Sequence, residues 1–240
     1  MFTLELNVTW RRWERLHVKR QGELWIFDMD GTLFEATSIA EETFVRTFTR
    51  LRQAGIQMPD VITRETIQKT YGYTHDKIWP TLFEREVTIE ERELADCVIL
   101  EEEVALLKEG KGRLYPGVVE TLQTLHEEGA KLAVASNGQQ GYIETIVDVN
   151  GMLDWFAGLY SASGYQVTTK IDLVQILLRE IPHEVAVMVG DRTSDVEAGY
   201  YNGLMTIGCA YGFGGDAEIE KANVKVDDLR EIVKVRLALQ

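Results

Sequence analysis

From residue 113 onward the chain alternates short apolar runs with amphipathic stretches, and an earlier apolar run, ELWIFD at residues 23–28, breaks abruptly at Asp-Gly-Thr. Apolar runs recur at 131–136 (KLAVAS), 158–161, 185–190 (VAVMVG), 205–209 and 224–226. Stretches of helical period lie between and after them, at 118–128, 139–150, 171–180, 194–202, 216–222 and 227–237. Strands that read as continuous apolar runs are buried on both faces, and strands alternating with helices build a parallel sheet. The expectation is an α/β chain: a Rossmann-like parallel sheet with helices on both faces.

The rhythm is interrupted once. Ile39, Phe44, Val45, Phe48 and Leu51 recur at helical spacing until Gly55 and Pro59. A second helix is expected over 61–70, stopped by Gly72, and a third over 75–83, interrupted by Pro80. A fourth runs over 88–108, with Thr88 as N-cap and Glu91 completing a capping box. No low-complexity linker or repeat marks this block, so it reads as an inserted all-helical cap domain. The expected division is an N-terminal extension at 1–21, a catalytic core of 22–35 and 113–240, and a helical cap at 36–112. The extension is basic, with Arg11, Arg12, Arg15, Lys19 and Arg20 against Glu5 and Glu14. It is either a docked appendage or a contact for an anionic surface.

The net charge of −14 argues against nucleic acid as a partner, because an acidic surface repels a phosphate backbone. Small phosphorylated molecules stay open, provided a cation and a few basic groups reverse the sign locally. No apolar run approaches the ~20 residues needed to span a bilayer, and the early WRRWERLHVKR breaks any signal-like stretch. Cys97 and Cys209 are far apart and lack metal-ligand spacing, so both are expected as buried free thiols in a reducing cytoplasm.

Ligands of open parallel sheets sit at the carboxyl ends of the strands. Those ends carry Asp28, Ser136 and Gly190-Asp191. Taken singly, each has an ordinary explanation: an aspartate pair in a loop, a helix cap, an exposed lysine, a turn. Gathered on one rim beneath a lid, they read as a catalytic site.

The segment FDMDGTLFE at 27–35 resembles the first motif of the haloacid dehalogenase superfamily, whose phosphatase members read D-x-D-G-T. Ser136 in VASNG, Lys170 in TTKIDL and GDRTSD at 190–195 are similar to its later motifs, in the family's order. MVGDRTSDVEAG and YGFGG resemble the phosphoglycolate phosphatase-like branch in particular. The resemblance implies a Mg²⁺-dependent phosphatase acting on a small phosphomonoester. By that analogy Asp28 is the nucleophile that takes the phosphoryl group and Asp30 the general acid and base. Asp28, the Asp30 carbonyl and Asp191 hold the metal. Asp195 and Thr32 brace the site, while Ser136, Asn137 and Lys170 cradle the phosphate. Chemistry is consistent with these roles, since a carboxylate attacking a phosphate dianion needs charge neutralisation and close positioning.

Rival readings follow from the same residues. Asp30 is an acid where dehalogenases and phosphonatases lack one, which argues against both reactions. Sugar phosphomutases keep both aspartates, yet Ala36 and Ala40 replace the Thr and His that follow the motif in that branch. Nucleotidase and pyrophosphatase activity stay open, as does a homologue that only binds phosphometabolites. For substrate selection the loop 70–79 proposes Tyr73, His75 and Lys77, or is an ordinary helix–helix turn that touches nothing.

Overall fold

The structure is a computed structural model that describes residues 22–238. The basic extension expected at 1–21 lies outside the described residues. Strand β1 (Glu23–Phe27) is followed by four helices, α1 (Thr37–Gln53), α2 (Arg64–Lys69), α3 (His75–Phe83) and α4 (Ile89–Lys108). Strands and helices then alternate as α5 (Val118–Glu127), β2 (Lys131–Ser136), α6 (Gln140–Val149), β3 (Phe156–Ser161) and α7 (Lys170–Glu180). They close with β4 (Val185–Gly190), α8 (Thr193–Tyr201), β5 (Met205–Cys209), α9 (Gly215–Glu218), β6 (Val224–Val226) and α10 (Glu231–Ala238). The sheet is wholly parallel, in the order β3-β2-β1-β4-β5-β6. The expected Rossmann-like fold is the one observed. Its strand order reverses beside β1, which is where such sheets bind ligands.

Side-chain alternation along β1 explains why its end is so firmly placed. Trp25 and Phe27 pack into one face with Leu122 of α5, Ile143 of α6 and Ile232 of α10. Leu24 and Ile26 pack into the other with Leu173 of α7 and Ala198 of α8. Burying each such side chain contributes roughly 1.5–3 kcal/mol. A one-residue slip would send all four to the wrong faces, so the register that puts Asp28 at the rim is fixed by the core. Glu23, a charge in this apolar run, is buried because Arg236 meets it at 2.6 Å and the Trp25 indole donates to it.

The four helices after β1 have a core of their own, built on Phe44, Phe48, Leu51, Trp79, Leu82 and Ile99. Helix α4 belongs to both cores, since Leu106 and Leu107 pack with the sheet. The Thr88–Glu91 capping box is present as expected. Three expectations need correction. Helix α3 runs unbroken through Pro80, because burial of Trp79, Leu82 and Phe83 outweighs the one lost backbone bond. Helix α2 is shorter than expected, starting after Thr63, whose hydroxyl accepts from the Thr66 amide. Cys97 is exposed on the wetted side of α4, while Cys209 is buried as expected. Among the described residues no helix is long and apolar enough to cross a membrane.

Candidate active site

The loop after β1 is a tight coil of the chain. The Leu33 and Phe34 amides both donate to the Met29 carbonyl, and the Gly31 amide donates to Phe34. Gly31 has φ +83°, and a Cβ there would overlap the Asp191 carboxylate, so only glycine lets this turn close against β4. The coil presents Asp28 and Asp30 on the rim, and Asp28 continues the sheet by donating its backbone amide hydrogen to the Val189 carbonyl.

Lys170, the first residue of α7, is buried with its ammonium 2.8 Å from Asp28 Oδ1 and 2.6 Å from Asp195 Oδ1. Burial alone would lower its pKa, but Asp195 and Asp28 more than offset this and hold it above the usual lysine value. Asp195 also accepts from the Arg192 amide at 2.9 Å. Asp191 accepts from the amides of Phe213 (2.7 Å) and Gly214 (3.2 Å), and Thr32 Oγ1 reaches it at 3.4 Å. Asp195 and Thr32, expected as bracing groups, thus touch Lys170 and the Arg192 amide, and Asp191, respectively.

Asp28, Asp191 and Asp195 each offer an oxygen within 4.8 Å of the others. One ammonium stands among three buried carboxylates, so the cluster carries excess negative charge. Burial first, then repulsion from Asp195, raises Asp28 and Asp191 from an ordinary 3.8 to about 7. A hard, all-oxygen donor set with this charge suits a divalent cation of the magnesium or calcium type. The donors fit the group that the family resemblance implies.

A stability prediction follows from the sign of these shifts. Carboxyls raised to about 7 hold protons in the fold that the unfolded chain releases near pH 4. Their contribution therefore makes the metal-free chain less stable as pH climbs from about 4 to about 7. Carboxylates lowered to about 2, such as Glu91 and Asp228, titrate below that window. At a hundredfold excess over Kd, a divalent cation should add ~2.7 kcal/mol, or about 5–10 °C in Tm for a chain of this size. Calorimetry should show the larger metal-induced rise at pH 8 and a smaller one at pH 5, and Asp191→Asn should remove most of it. Equal rises at the two pH values would contradict the cluster as the binding site.

Asp30 stands apart from the carboxylate cluster, with Tyr142 Oη donating to its Oδ1 at 2.8 Å. Burial, then Asp30 and Glu103, push the Tyr142 phenol well above its usual value, so it stays a donor. Glu103, projecting from α4, is pushed up by burial and then by Asp30. Neither Tyr142 nor Glu103 was expected from the sequence. Glu103 follows Ile99 by one helical turn on the inward stripe of α4, and an acid on an apolar stripe was the available signal. Tyr142 gave none, because an aromatic beside Ile143 and Ile146 reads as ordinary core.

At the end of β2, Ser136 Oγ accepts from the Gly138 amide at 3.0 Å. Asn137 Nδ2 donates to the Gly72 carbonyl at 3.0 Å, and Gln139 Nε2 donates to the Asp96 carbonyl at 2.7 Å. Both side chains thus reach from the sheet rim to the helical segment, and Tyr71 packs on Phe213 across the same boundary at 5.2 Å. Between the two parts lies a cavity of about 100 Å³ lined by Asp28, Asp30, Ser136, Asn137 and Lys170, with Ala36 and Ala40 on its helical side. Tyr73 lines it too. Lys77 is exposed and is not among the described lining residues, and the His75 side chain lies outside what the structure describes.

Comparison with known proteins agrees with this geometry. A family profile described as haloacid dehalogenase-like hydrolase matches residues 25–209. The pyrophosphatase PpaX of Listeria monocytogenes is 28% identical over 228 residues, covering 87% of this chain and 95% of its own. A phosphoglycolate phosphatase of Pseudomonas syringae is 23% identical over 236 residues, covering 92% and 82% respectively. A crystal structure described as a predicted phosphoglycolate phosphatase from Haemophilus somnus superposes with a TM-score of 0.75. It is 22% identical and covers 91% of this chain and 99% of that one, a likeness of fold.

Proposed function

We propose a reaction from one premise: the chain belongs to the haloacid dehalogenase-like hydrolase family and is an enzyme of that class. The reaction is Mg²⁺-dependent hydrolysis of a small phosphomonoester through a phosphoryl-aspartate on Asp28. The observation that carries it is the division of labour between two aspartates two residues apart. Asp28 sits against the Lys170 ammonium inside the carboxylate cluster, whereas Asp30 is held off by Tyr142 and faces the cavity.

Asp28 Oδ1 accepts from Lys170 and from the Met29 amide, which leaves Oδ2 as the attacking oxygen. As the Oδ2–phosphorus bond forms, the bond from phosphorus to the ester oxygen breaks. Asp30 gives its proton to that oxygen, so an alcohol departs rather than an alkoxide. A water then yields a proton to the Asp30 carboxylate while attacking phosphorus, and the Asp28–phosphorus bond breaks. Lys170 stays charged throughout and offsets the added negative charge, while Ser136 and the amides after it orient the phosphoryl oxygens. Asp28, Asp191 and the Asp30 carbonyl would hold the Mg²⁺, which when bound supplies positive charge at the phosphoryl oxygens. Both Asp195 oxygens are occupied by Lys170 and Arg192, which supports a bracing role for it.

We take residues 22–35 and 113–240 as the catalytic core and 36–112 as a cap over it, with a cytoplasmic setting for the exposed thiol of Cys97. Pyrophosphate and phosphoglycolate, named for the relatives, would use the same roles with a different leaving group. Mutase chemistry is disfavoured because Ala36 and Ala40 line the cavity without a polar group. Hydrolysis of p-nitrophenyl phosphate with added Mg²⁺, and its loss by at least ~100-fold in excess chelator, is the expected outcome. Undiminished hydrolysis in chelator would overturn the metal dependence.

A further inference from the structure

The cavity beside Asp28 has two chemically different halves. Its strand-end half holds Lys170 at the base, already paired to Asp28 and Asp195. The helical half is largely apolar, with Ile39 and Phe44 of α1, Ile78 of α3 and Ile99 of α4. Its uncharged polar side chains are Thr43, Thr70, Tyr71 and Tyr73. Among the described lining residues, that half offers no Lys, Arg or His, and its one carboxyl is that of Glu103, which burial pushes toward the neutral acid. Arg192 lies at the edge beside Gly72, where Glu218 meets it at 3.3 Å. Asn137 is fixed by its Nδ2 bond to Gly72, so its buried Oδ1 is an acceptor, and this oxygen has no partner among the described residues.

A negative group placed in the helical half would lose its hydration, find no cation among the described lining residues, and stand beside the Glu103 and Asp30 carboxyls, neither of which supplies positive charge. A hydroxyl or ammonium would instead meet the Glu103 carboxyl as an acceptor, with its carbon body against isoleucine and phenylalanine. Resting on the phosphatase reading above, we infer that the substrate is the phosphate ester of a small alcohol whose leaving group carries no negative charge and offers a hydrogen-bond donor. Neither glycolate nor a second phosphate has that character, so the activities named for the relatives are not expected to be the preferred ones here.

The test compares two esters of one size, 2-hydroxyethyl phosphate and phosphoglycolate, with inorganic pyrophosphate as a third substrate, all with Mg²⁺. The kcat/KM of the wild-type enzyme should favour 2-hydroxyethyl phosphate over phosphoglycolate by at least about tenfold, and over pyrophosphate likewise. Glu103→Lys, which places a cation in the helical half, should move the ester ratio toward phosphoglycolate by about tenfold or more. A wild-type preference for phosphoglycolate or pyrophosphate would overturn the inference, and that comparison stands even if the variant fails to fold. A folded Glu103→Lys enzyme with the wild-type ratio would also overturn it. No hydrolysis of any of the three, nor of p-nitrophenyl phosphate, is a different failure, because it removes the phosphatase reading itself.

Discussion

Asp28→Asn is expected to lower kcat on every phosphomonoester by at least about four orders of magnitude, with the fold intact. An amide is isosteric with the carboxylate, so the Lys170 and Met29 contacts at Oδ1 can persist. It is nevertheless too poor a nucleophile to attack phosphorus. The change also removes one negative charge from a cluster in which three carboxylates share one ammonium. The metal-free variant should therefore melt no lower than the parent at pH 8. Loss of activity without loss of Tm separates this outcome from simple unfolding. Residual turnover of half the parent value would show that another group attacks.

The second large effect belongs to Asp30. Asp30→Asn removes the proton that the departing oxygen needs, and general acid catalysis is worth ~10²–10⁴-fold. The loss should depend on the leaving group. In single-turnover phosphorylation an alkyl phosphate should slow by about that whole factor, while p-nitrophenyl phosphate, whose leaving group needs little help, should slow far less. Equal slowing of both would contradict the acid assignment. Tyr142→Phe should act in the same direction but more weakly, since it deletes one bond of 2.8 Å to Asp30 and leaves the carboxyl in place. Its effect should also follow the leaving group, which a general loosening of α6 would not produce.

What could be read from residues alone follows from how local each signal is. The strands announced themselves because a strand buried on both faces reads as a near-continuous apolar run, as β1 does from Leu24 to Phe27 and β2 from Leu132 to Ala135. The placement of Asp28, Asp30 and Asp191 on one rim was legible because a strand end is a position in sequence as well as in space. So was the run of helices between β1 and α5, two of which carry the caps that Thr63 and Thr88 supply. The sequence did not yield the groups that reach the site from elsewhere. Tyr142 meets Asp30 across 112 positions, and Glu103 enters from a helix whose neighbouring Glu101 and Glu102 instead pair with Arg50 on the surface. Whether an acid on such a helix faces in or out depends on how α4 straddles two cores, which is a tertiary fact. Lys77 is exposed and not among the described lining residues for the same reason: its nearness to Tyr73 in sequence says little about the direction of its side chain once α3 begins at His75.

Among the described residues, the bonds of Asn137 to Gly72 and of Gln139 to Asp96 join the helical segment to the rim. These contacts join the helical half of the cavity to the strand ends proposed to carry the chemistry. They explain how a substrate's leaving group and its phosphoryl group can be judged by different parts of the chain. Selection is expected to reside in α1, α3 and α4, and phosphoryl transfer in the ends of β1, β2 and β4 with the first residue of α7.

The central claim, a phosphoryl group carried transiently on Asp28, is tested most directly by acid-quenching the enzyme during turnover of p-nitrophenyl phosphate with Mg²⁺ and measuring intact and peptide masses. Asp30→Asn should be run beside the parent, because it slows the water step and lets the intermediate accumulate. The account predicts one added phosphoryl group per chain, located on the peptide bearing Asp28, labile to hydroxylamine and missing from Asp28→Asn. Release of p-nitrophenol by the parent with no such adduct in either protein, or an adduct on any residue other than Asp28, would contradict it.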